Sequence, residues 1–165
     1  MSTLDLFVAP SAAGTATIVS LHRSNGGVPK LEVPSARVTS HGMEGDRQRN
    51  LKHHGGPDRA LCLYALELIE ALRAEGHPIE PGAMGENVVV RGLDWRTMVP
   101  GVRLRLGEAE IELTSYANPC RNIAGAFRGG RSERVSSKLY PGWSRVYARV
   151  TRGATLASGD KILFL

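Results

Sequence analysis

Cysteine is scarce in this chain of 165 residues. The two cysteines, Cys62 and Cys120, lie far apart and form no CxxC pair. The ligand spacings of a zinc knuckle or an iron–sulfur cluster are therefore absent, and so is a disulfide framework. A chain of this length can bury a hydrophobic core without such staples. In the reducing cytoplasm, which is the compartment we expect, both cysteines are thiols.

Long apolar runs and runs of like charge are also missing. No segment reaches the length of a membrane span, so we expect no membrane partner. The N-terminal segment lacks a basic stretch followed by a long apolar run, which argues against a secretory signal. The net charge of +5 permits an anionic ligand or weak attraction to nucleic acid but requires neither.

Aromatic residues make up only 5% of the chain, and no basic–aromatic stacking pattern is present. An RNA-binding barrel, which only the basic composition supports, is therefore the weakest functional hypothesis, and we expect no nucleic-acid polymer as partner. The Walker motif, a GxGxxG after a strand and the GxSxG elbow are absent too.

What the chain does have is a series of short strands. Apolar runs predict strands in "GTATIVSLHRS", "LEVPSARVTSHG", "RALCLY", "WSRVYARV" and "KILFL". We expect a bend or edge at Pro34 and burial of both faces of "RALCLY". The spacing of Leu66, Ile69 and Leu72 predicts a helix that ends near Gly76. Many short strands and few helices predict a mainly β fold, a compact β-barrel with a few helical insertions.

The segment "VRLRLGEAEIELTS" predicts a β-hairpin, because apolar and charged residues alternate on both sides of a two-residue turn. Folding about that turn gives three cross-strand pairs: Arg105 with Glu110, Arg103 with Glu112, and Leu104 with Ile111. The charged pairs should set the register more than the stability, because exposed ion pairs contribute little.

The junction "YANPCR" places Cys120 beside Arg121 and just after a proline. Asn118 suits a helix N-cap and Pro119 the first helical position, so we expect Cys120 to be the second residue of a short helix. The helix N-terminus and Arg121 would both favour the thiolate, which is the nucleophilic and metal-binding form. The alternative is that Cys120 is a small buried hydrophobic residue. Cys62, inside an apolar strand, is expected to be structural.

The stretch "GDRQRNLKHHGGPDRA", residues 45–60, is rich in polar side chains. Basic side chains beside a glycine pair suit an anion, which exposed backbone N–H groups can also bind. The alternative is a solvated polar loop. His53 and His54 are adjacent and lack the helical HxxxH spacing of a zinc site.

Two further features carry weaker signals. The stretch "PGAMGENVVV", residues 81–90, predicts a turn that enters a strand. Tyr140 and Trp143 in "YPGWSR" have the chemistry to flank a planar ligand, although core packing is the more frequent use of an aromatic side chain.

Four blocks, "GMEGDRQ", "KHHGGPDRALCLY", "PGAMGENVVVRGLDW" and "NPC", occur in this order and spacing. Together they closely resemble the MOSC-domain family, in its standalone YiiM-like branch. The resemblance runs from about Ile18 to Phe164. It implies one MOSC domain over residues 1–165 with a core of about 18–164, and a barrel of the pyruvate-kinase β-barrel type.

The resemblance also implies binding of the molybdenum cofactor, a pterin dithiolene that carries a phosphate and molybdenum. It places the cysteine of the family at Cys120, which would bind molybdenum as a thiolate. His53 and His54 are the candidate proton donors, so the implied catalytic residues are Cys120, His53 and His54. The implied cofactor-binding residues are Lys52, His53, His54, Arg59, Glu86, Asn87, Asn118 and Arg121.

The reaction implied by the resemblance is reductive removal of oxygen from small N-hydroxylated compounds, such as hydroxylaminopurines and amidoximes. The chain has no cysteine set for an iron–sulfur cluster and no dinucleotide fingerprint, so we expect a separate reductase that carries flavin or an iron–sulfur centre. The alternative is a sulfur or cofactor carrier that uses Cys120 as a persulfide or transient ligand. A monomer or a homodimer is expected.

Overall fold

Strands make up most of the regular structure. The computed structural model describes residues 15–47 and 56–165. Eleven strands lie in these ranges: β1 (Thr17–Arg23), β2 (Leu31–Val33), β3 (Ser35–Thr39), β4 (Gly42–Met43), β5 (Leu61–Ala65), β6 (Val88–Arg91), β7 (Arg103–Leu106), β8 (Ala109–Tyr116), β9 (Val146–Arg152), β10 (Ala154–Ala157) and β11 (Ile162–Phe164).

Helices are short by comparison. One α-helix, α1 (Leu66–Ala74), follows β5 directly and buries Leu68, Ile69 and Leu72 against the sheet. Gly76, at φ 101°, follows it as predicted. The described residues also form five 3₁₀ helices: Pro57–Arg59, Trp95–Thr97, Arg121–Ala126, Arg128–Gly130 and Ser132–Val135. In these ranges no helix has the length and apolar character needed to cross a membrane.

Eight of the strands form one sheet in the order β11-β7-β8-β9-β5-β6-β1-β2, and β10-β3-β4 form a second. β5 and β6 are parallel and are joined by α1, whereas all other neighbouring pairs are antiparallel. Pro34 lies between β2 and β3, where the chain leaves the first sheet for the second. The mainly β class with few helices is therefore confirmed.

The closed barrel is a wrong prediction, since neither sheet closes on itself within the described residues. In the part of the chain that the structure describes, an isolated bridge joins Thr17 of β1 to Lys161, which directly precedes β11. The Ile18 N–H donates to the Asp160 carbonyl there at 2.9 Å. β2 already pairs with the second half of that edge of β1, from Leu21 onward, so only the first half is left for a partner.

Local patterns predicted most of the strands and the register of the hairpin, but not β10. The β7–β8 hairpin has all three predicted cross-strand pairs. β5 is buried at every position, as the continuous apolar run predicts. β9, in contrast, begins at Val146 instead of Trp143, because side chains donate hydrogen bonds to the two carbonyls that would otherwise pair in the sheet. Tyr64 Oη donates to Trp143 O and Trp95 Nε1 donates to Ser144 O, each at 2.7 Å.

Candidate functional site

A cavity of about 200 Å³ opens among the loops at one end of the large sheet. It brings together side chains from the turn before β2, from β5, from the loop before β6, from the segment after β8 and from the start of β9. Its walls are formed by Gly27, Val28, Lys30, Arg47, Cys62, Met84, Gly85, Cys120, Asn122, Ile123, Arg145 and Tyr147. Both cysteines of the chain and three cationic side chains therefore line one space.

Cys120 lies on the wall as the last extended residue before a 3₁₀ helix. Its backbone has φ −141° and ψ 174°, and the helix begins at Arg121. The prediction that Asn118 caps the helix and that Pro119 begins it is therefore wrong. The chain stays extended because pairing with the β9 strand continues past β8, where the Ala117 N–H donates to the Arg145 carbonyl at 2.9 Å.

Cys62 is the second thiol on the wall. It lies in β5 opposite Tyr147, with which it forms a small apolar cluster beside Ala117. Burial raises the pKa of the Cys62 thiol to about 11, although the positive charge of Arg145 opposes the shift. Cys62 is thus a protonated thiol at neutral pH. The strand pattern predicted its burial but gave no sign that it reaches a cavity.

Lys30 is held in the cavity by a buried network. Its Nζ contacts Asp46 Oδ2 at 2.5 Å, and both side chains are at least nine-tenths buried. The Asn87 Nδ2 donates to the same carboxylate oxygen at 2.9 Å, and Ser24 N–H donates to the other oxygen. A buried ion pair needs such added hydrogen bonds to offset the loss of water. The network fixes the lysine head on the wall.

Asn87 was predicted to bind a cofactor, but its side chain forms hydrogen bonds inside the protein. Its Oδ1 accepts from the Cys62 N–H at 3.1 Å, and its Nδ2 also donates to the His22 carbonyl at 3.2 Å. It lies behind the wall and positions Lys30 through Asp46. Direct contact of Asn87 with a ligand stays a prediction.

Glu86 also lies behind the wall, fully buried. Its Oε1 accepts from the Met84 N–H at 3.0 Å, and its Oε2 has no hydrogen-bond partner among the described residues. Burial raises the pKa of this carboxyl, while hydrogen bonds and the charge of Arg145 act against the rise. Glu86 therefore shapes the loop that carries Met84 and Gly85 on the wall.

Gly85 gives the cavity room on that side. Its φ is 83°, and a Cβ built there would lie 3.2 Å from Val28 Cγ1. A side chain at this position would strain the backbone and fill the space between the two walls. The glycine in "GEN" thus has a geometric reason, which the sequence pattern alone did not supply.

Arg145 is a buried cation that the sequence analysis missed. It is 5% exposed, and its two terminal nitrogens donate to the carbonyls of Met84 and Asn118. Its Nε is buried without a hydrogen-bond partner in the described part of the chain. In the sequence it lies within an alternating segment, where nothing marks it as different from the exposed Arg149.

The remaining predicted residues have different placements. Arg59 is not a wall residue but contacts one: its guanidinium lies 5.2 Å from the ring centre of Tyr147. Asn118 and Arg121 are exposed beside Cys120 and are not among the wall residues. Lys52, His53 and His54 fall outside the described residues. The roles of all six in binding or catalysis stay predictions.

Trp143 packs inside the protein, and Tyr140 is half-buried beside it. The guanidinium of Arg134 stacks on both rings, 4.5 Å from the centre of Tyr140 and 4.1 Å from that of Trp143. Trp143 is 1% exposed and does not reach the cavity, so core packing is the outcome for that ring. Across residues 15–47 and 56–165, no three His, Cys, Asp or Glu side chains group as a metal site.

The sequence is similar to curated bacterial proteins. It is 32% identical over 124 residues to the uncharacterized protein YflK of Bacillus subtilis (strain 168). The matched region covers 74% of this chain and 55% of that protein. It is 37% identical over 101 residues to protein YiiM of Escherichia coli (strain K12), covering 58% and 45%. The chain thus spans about half the length of these relatives.

Solved structures share the fold. The crystal structure of YiiM from Geobacillus stearothermophilus superposes with a TM-score of 0.69 at 22% identity, over 91% of this chain and 75% of that one. The YUAD protein of Bacillus subtilis superposes with a TM-score of 0.74 at 19% identity, over 90% and 94%. The sequence profile of the MOSC domain matches residues 50–163, more than half of the chain. The chain therefore belongs to the MOSC-domain family.

Proposed function

We propose that this protein binds the molybdenum cofactor in the cavity, with Cys120 as the metal ligand, and reduces small N-hydroxylated compounds. One observation supports this most strongly: Cys120 shares a wall with Lys30, Arg47 and Arg145. A soft thiolate suits a molybdenum centre that dithiolene sulfurs already bind, and the cations suit the cofactor's phosphate.

The residues present fit such a group in three respects. Arg145 has a buried Nε with no partner in the described ranges, so a donor is left over beside the cavity. Gly85 leaves free the volume that a Cβ would take. The wall combines thiols and cations with the apolar side chains of Val28, Met84 and Ile123, as a site for a flat anionic ligand requires.

When bound, the cofactor supplies the two-electron oxygen-atom chemistry that converts R–NHOH, two electrons and two protons into R–NH2 and water. Cys120 would hold the metal, while Lys30 and Arg47 would bind the anionic part. Burial raises the pKa of Tyr147 to about 12, so its hydroxyl keeps a proton at neutral pH on the cavity wall. His53 and His54 remain the proposed proton donors to the departing oxygen.

The electrons would come from a separate reductase, which carries flavin or an iron–sulfur centre. The two cysteines of the chain are too few for a cluster, and both lie in the cavity. Cavity residues on loops, at the end of a rigid sheet, allow access to a partner without a change in the core.

Anaerobic turnover with a chemical donor tests this proposal. Protein from a host that makes the cofactor is mixed with reduced methyl viologen and either a hydroxylaminopurine or an amidoxime, and the amine is measured by chromatography. The wild type should produce amine, and Cys120→Ser should lose at least about a hundredfold in rate, since a ligand is removed. Equal turnover by a folded Cys120→Ser protein would contradict the proposal.

A sulfur or cofactor carrier is the second candidate, favoured by the presence of two thiols on one wall. Cys120 would then hold a persulfide or a transient ligand, with Cys62 protonated beside it. Peptide mass spectrometry would show an added sulfur atom on Cys120 that a reductant removes. That adduct, together with no amine product when the donor is supplied, would favour the carrier over the reductase.

A further inference from the structure

The guanidinium of Arg145 lies between the two loops that form facing parts of the cavity wall. Its Nη1 donates to the Met84 carbonyl at 2.7 Å, and its Nη2 donates to the Asn118 carbonyl at 3.3 Å. Met84 precedes Gly85 on one side of the cavity, and Asn118 precedes Cys120 by two residues on the other. One side chain thus bonds to both loops.

Arg145 projects from a segment that is itself fixed. The carbonyls of Trp143 and Ser144 accept from Tyr64 and Trp95, and that of Arg145 accepts from the Ala117 N–H. The Ser144 hydroxyl also donates to the Arg145 carbonyl at 2.8 Å. Because hydrogen bonds fix three successive carbonyls, the backbone of Arg145 has a defined position. Its guanidinium extends from that position to both loops.

Side chains hold both polar backbone atoms of Met84, its N–H and its carbonyl. Glu86 Oε1 accepts from the Met84 N–H, and Arg145 donates to the Met84 carbonyl. The buried carboxyl group of Glu86 and the buried guanidinium of Arg145 thus act on the same residue with opposite hydrogen-bonding roles. This leaves Arg145 as the described side chain that donates to both this loop and the backbone beside Cys120.

We propose that Arg145 is a positioning residue that sets the Cys120 segment against the Met84–Gly85 loop. A guanidinium is planar and directs several N–H groups in fixed directions, so it can bond to two carbonyls at once. A lysine ammonium in its place keeps the charge but is a compact group on a flexible stem, which cannot hold the same two-carbonyl fork. The coupling of the loops is a property of the protein alone; its consequence for the metal rests on the proposed function.

Hydrogen–deuterium exchange on the full chain tests the coupling in Arg145→Met and Arg145→Lys, with Arg152→Met as the matched control. Arg152 ends β9, the strand that begins directly after Arg145, and is exposed. In Arg145→Met, amide exchange in 82–87 and in 117–123 should both rise about tenfold, since charge-assisted hydrogen bonds are lost, while the β7–β8 hairpin and the control stay unchanged. Arg145→Lys should loosen at least one of the two segments and leave exchange in the hairpin at the wild-type level.

Three results would overturn the proposal: unchanged exchange in one or both segments of Arg145→Met, an equal rise in the hairpin, or full protection of both segments in Arg145→Lys. Molybdenum content separates this from the proposed function. Wild type with molybdenum and unaltered exchange in the variants would reject the positioning role alone. Loosened segments together with a wild type that binds no molybdenum would reject the proposed function alone. A loosened Arg145→Lys protein should also lose about tenfold in molybdenum retention, since orientation of the ligand is lost.

Discussion

At Gly82, the absence of a side chain lets two wall segments meet. Its φ is 86°, and an ideal Cβ there would lie 2.3 Å from the Lys30 carbonyl and 2.8 Å from His22 Nδ1. The Gly82 carbonyl accepts from the Lys30 N–H at 2.9 Å. Backbone atoms cannot move aside as the end of a flexible side chain can. The placement of Lys30 on the wall therefore depends on a residue that does not itself reach the cavity.

We predict that Gly82→Ala destabilises the fold far more than Gly159→Ala. Gly159 has a similar φ of 93°, but no atom lies within 4 Å of its ideal Cβ. The control should cost about 1 to 2 kcal/mol for the backbone conformation, and Gly82→Ala about 1 to 3 kcal/mol more for the clash. Urea unfolding measures both, and equal losses would contradict the packing argument.

Sequence patterns identified Cys120 but not the cations around it. The NPC block is local, so it is visible along the chain. Lys30 and Arg145 are 115 positions apart in the sequence, where they resemble ordinary residues of a turn and a strand. Folding brings both to the wall of one cavity and buries them there. Glu86 and Asn87 were predicted because the GEN block resembles that of the family, but their hydrogen bonds to the N–H groups of Met84 and Cys62 hold both side chains behind the wall.

At the scale of elements, the end of α1 holds the segment that follows Cys120. The Arg134 guanidinium donates to both carboxylate oxygens of Glu75, at 2.9 and 2.8 Å, just after α1 ends. His77 Nδ1 accepts from the Arg128 N–H at 3.1 Å, and its ring meets Phe127 edge-on. These contacts fix the three 3₁₀ helices between Arg121 and Val135 on the body of the protein.

We predict that Glu75→Gln lowers the free energy of unfolding by about 1 to 3 kcal/mol, because Arg134 is 7% exposed and loses a bidentate charged partner. Glu80→Gln is the matched control. Glu80 faces Arg73 at 3.4 Å, but both side chains are more than half exposed, so its loss should be about 0.5 kcal/mol or less. Similar losses in the two variants would show that the Arg134 contact does not fasten the segment.

His77 should give this attachment a pH dependence. Burial is the main cause that lowers the pKa of His77 below 6.5, although Glu75 acts in the opposite direction. Because the unfolded chain then binds more protons below pH 6.5, the stability from His77 is complete above that pH and is lost as the pH falls from there through the lower pKa of the folded protein. Protonation of Nδ1 would also remove the acceptor that Arg128 uses.

The expected observation is a smaller loss of unfolding free energy between about pH 7.5 and about pH 5.5 in His77→Asn than in the wild type. Asparagine keeps an acceptor near the Nδ1 position but does not titrate. Part of the loss should remain, because burial also lowers the pKa of His22. An identical pH dependence in the two proteins would show that His77 is not a source of the acid sensitivity.

At the scale of the whole molecule, the cavity is formed where non-adjacent parts of the chain converge on one end of an open sheet. The β7–β8 register was predictable, since two alternating strands and their turn are contiguous. The order of the strands was not, because β9 lies between β5 and β8, and β5 pairs in parallel with β6. Closure into a barrel depends on that order and on how much of the edge of β1 is already paired with β2. Neither of these can be predicted from a local sequence pattern.

The central claim, that Cys120 binds the metal of a cofactor in this cavity, is tested most directly by molybdenum content. Wild type, Cys120→Ser and Cys62→Ala are purified from a host that makes the cofactor, and molybdenum and pterin per chain are measured by mass spectrometry and fluorescence. Wild type and Cys62→Ala should both retain molybdenum, since the pKa of Cys62 of about 11 leaves it a poor ligand, whereas Cys120→Ser should lose at least about tenfold. A folded Cys120→Ser protein that keeps as much molybdenum as the wild type would contradict the claim.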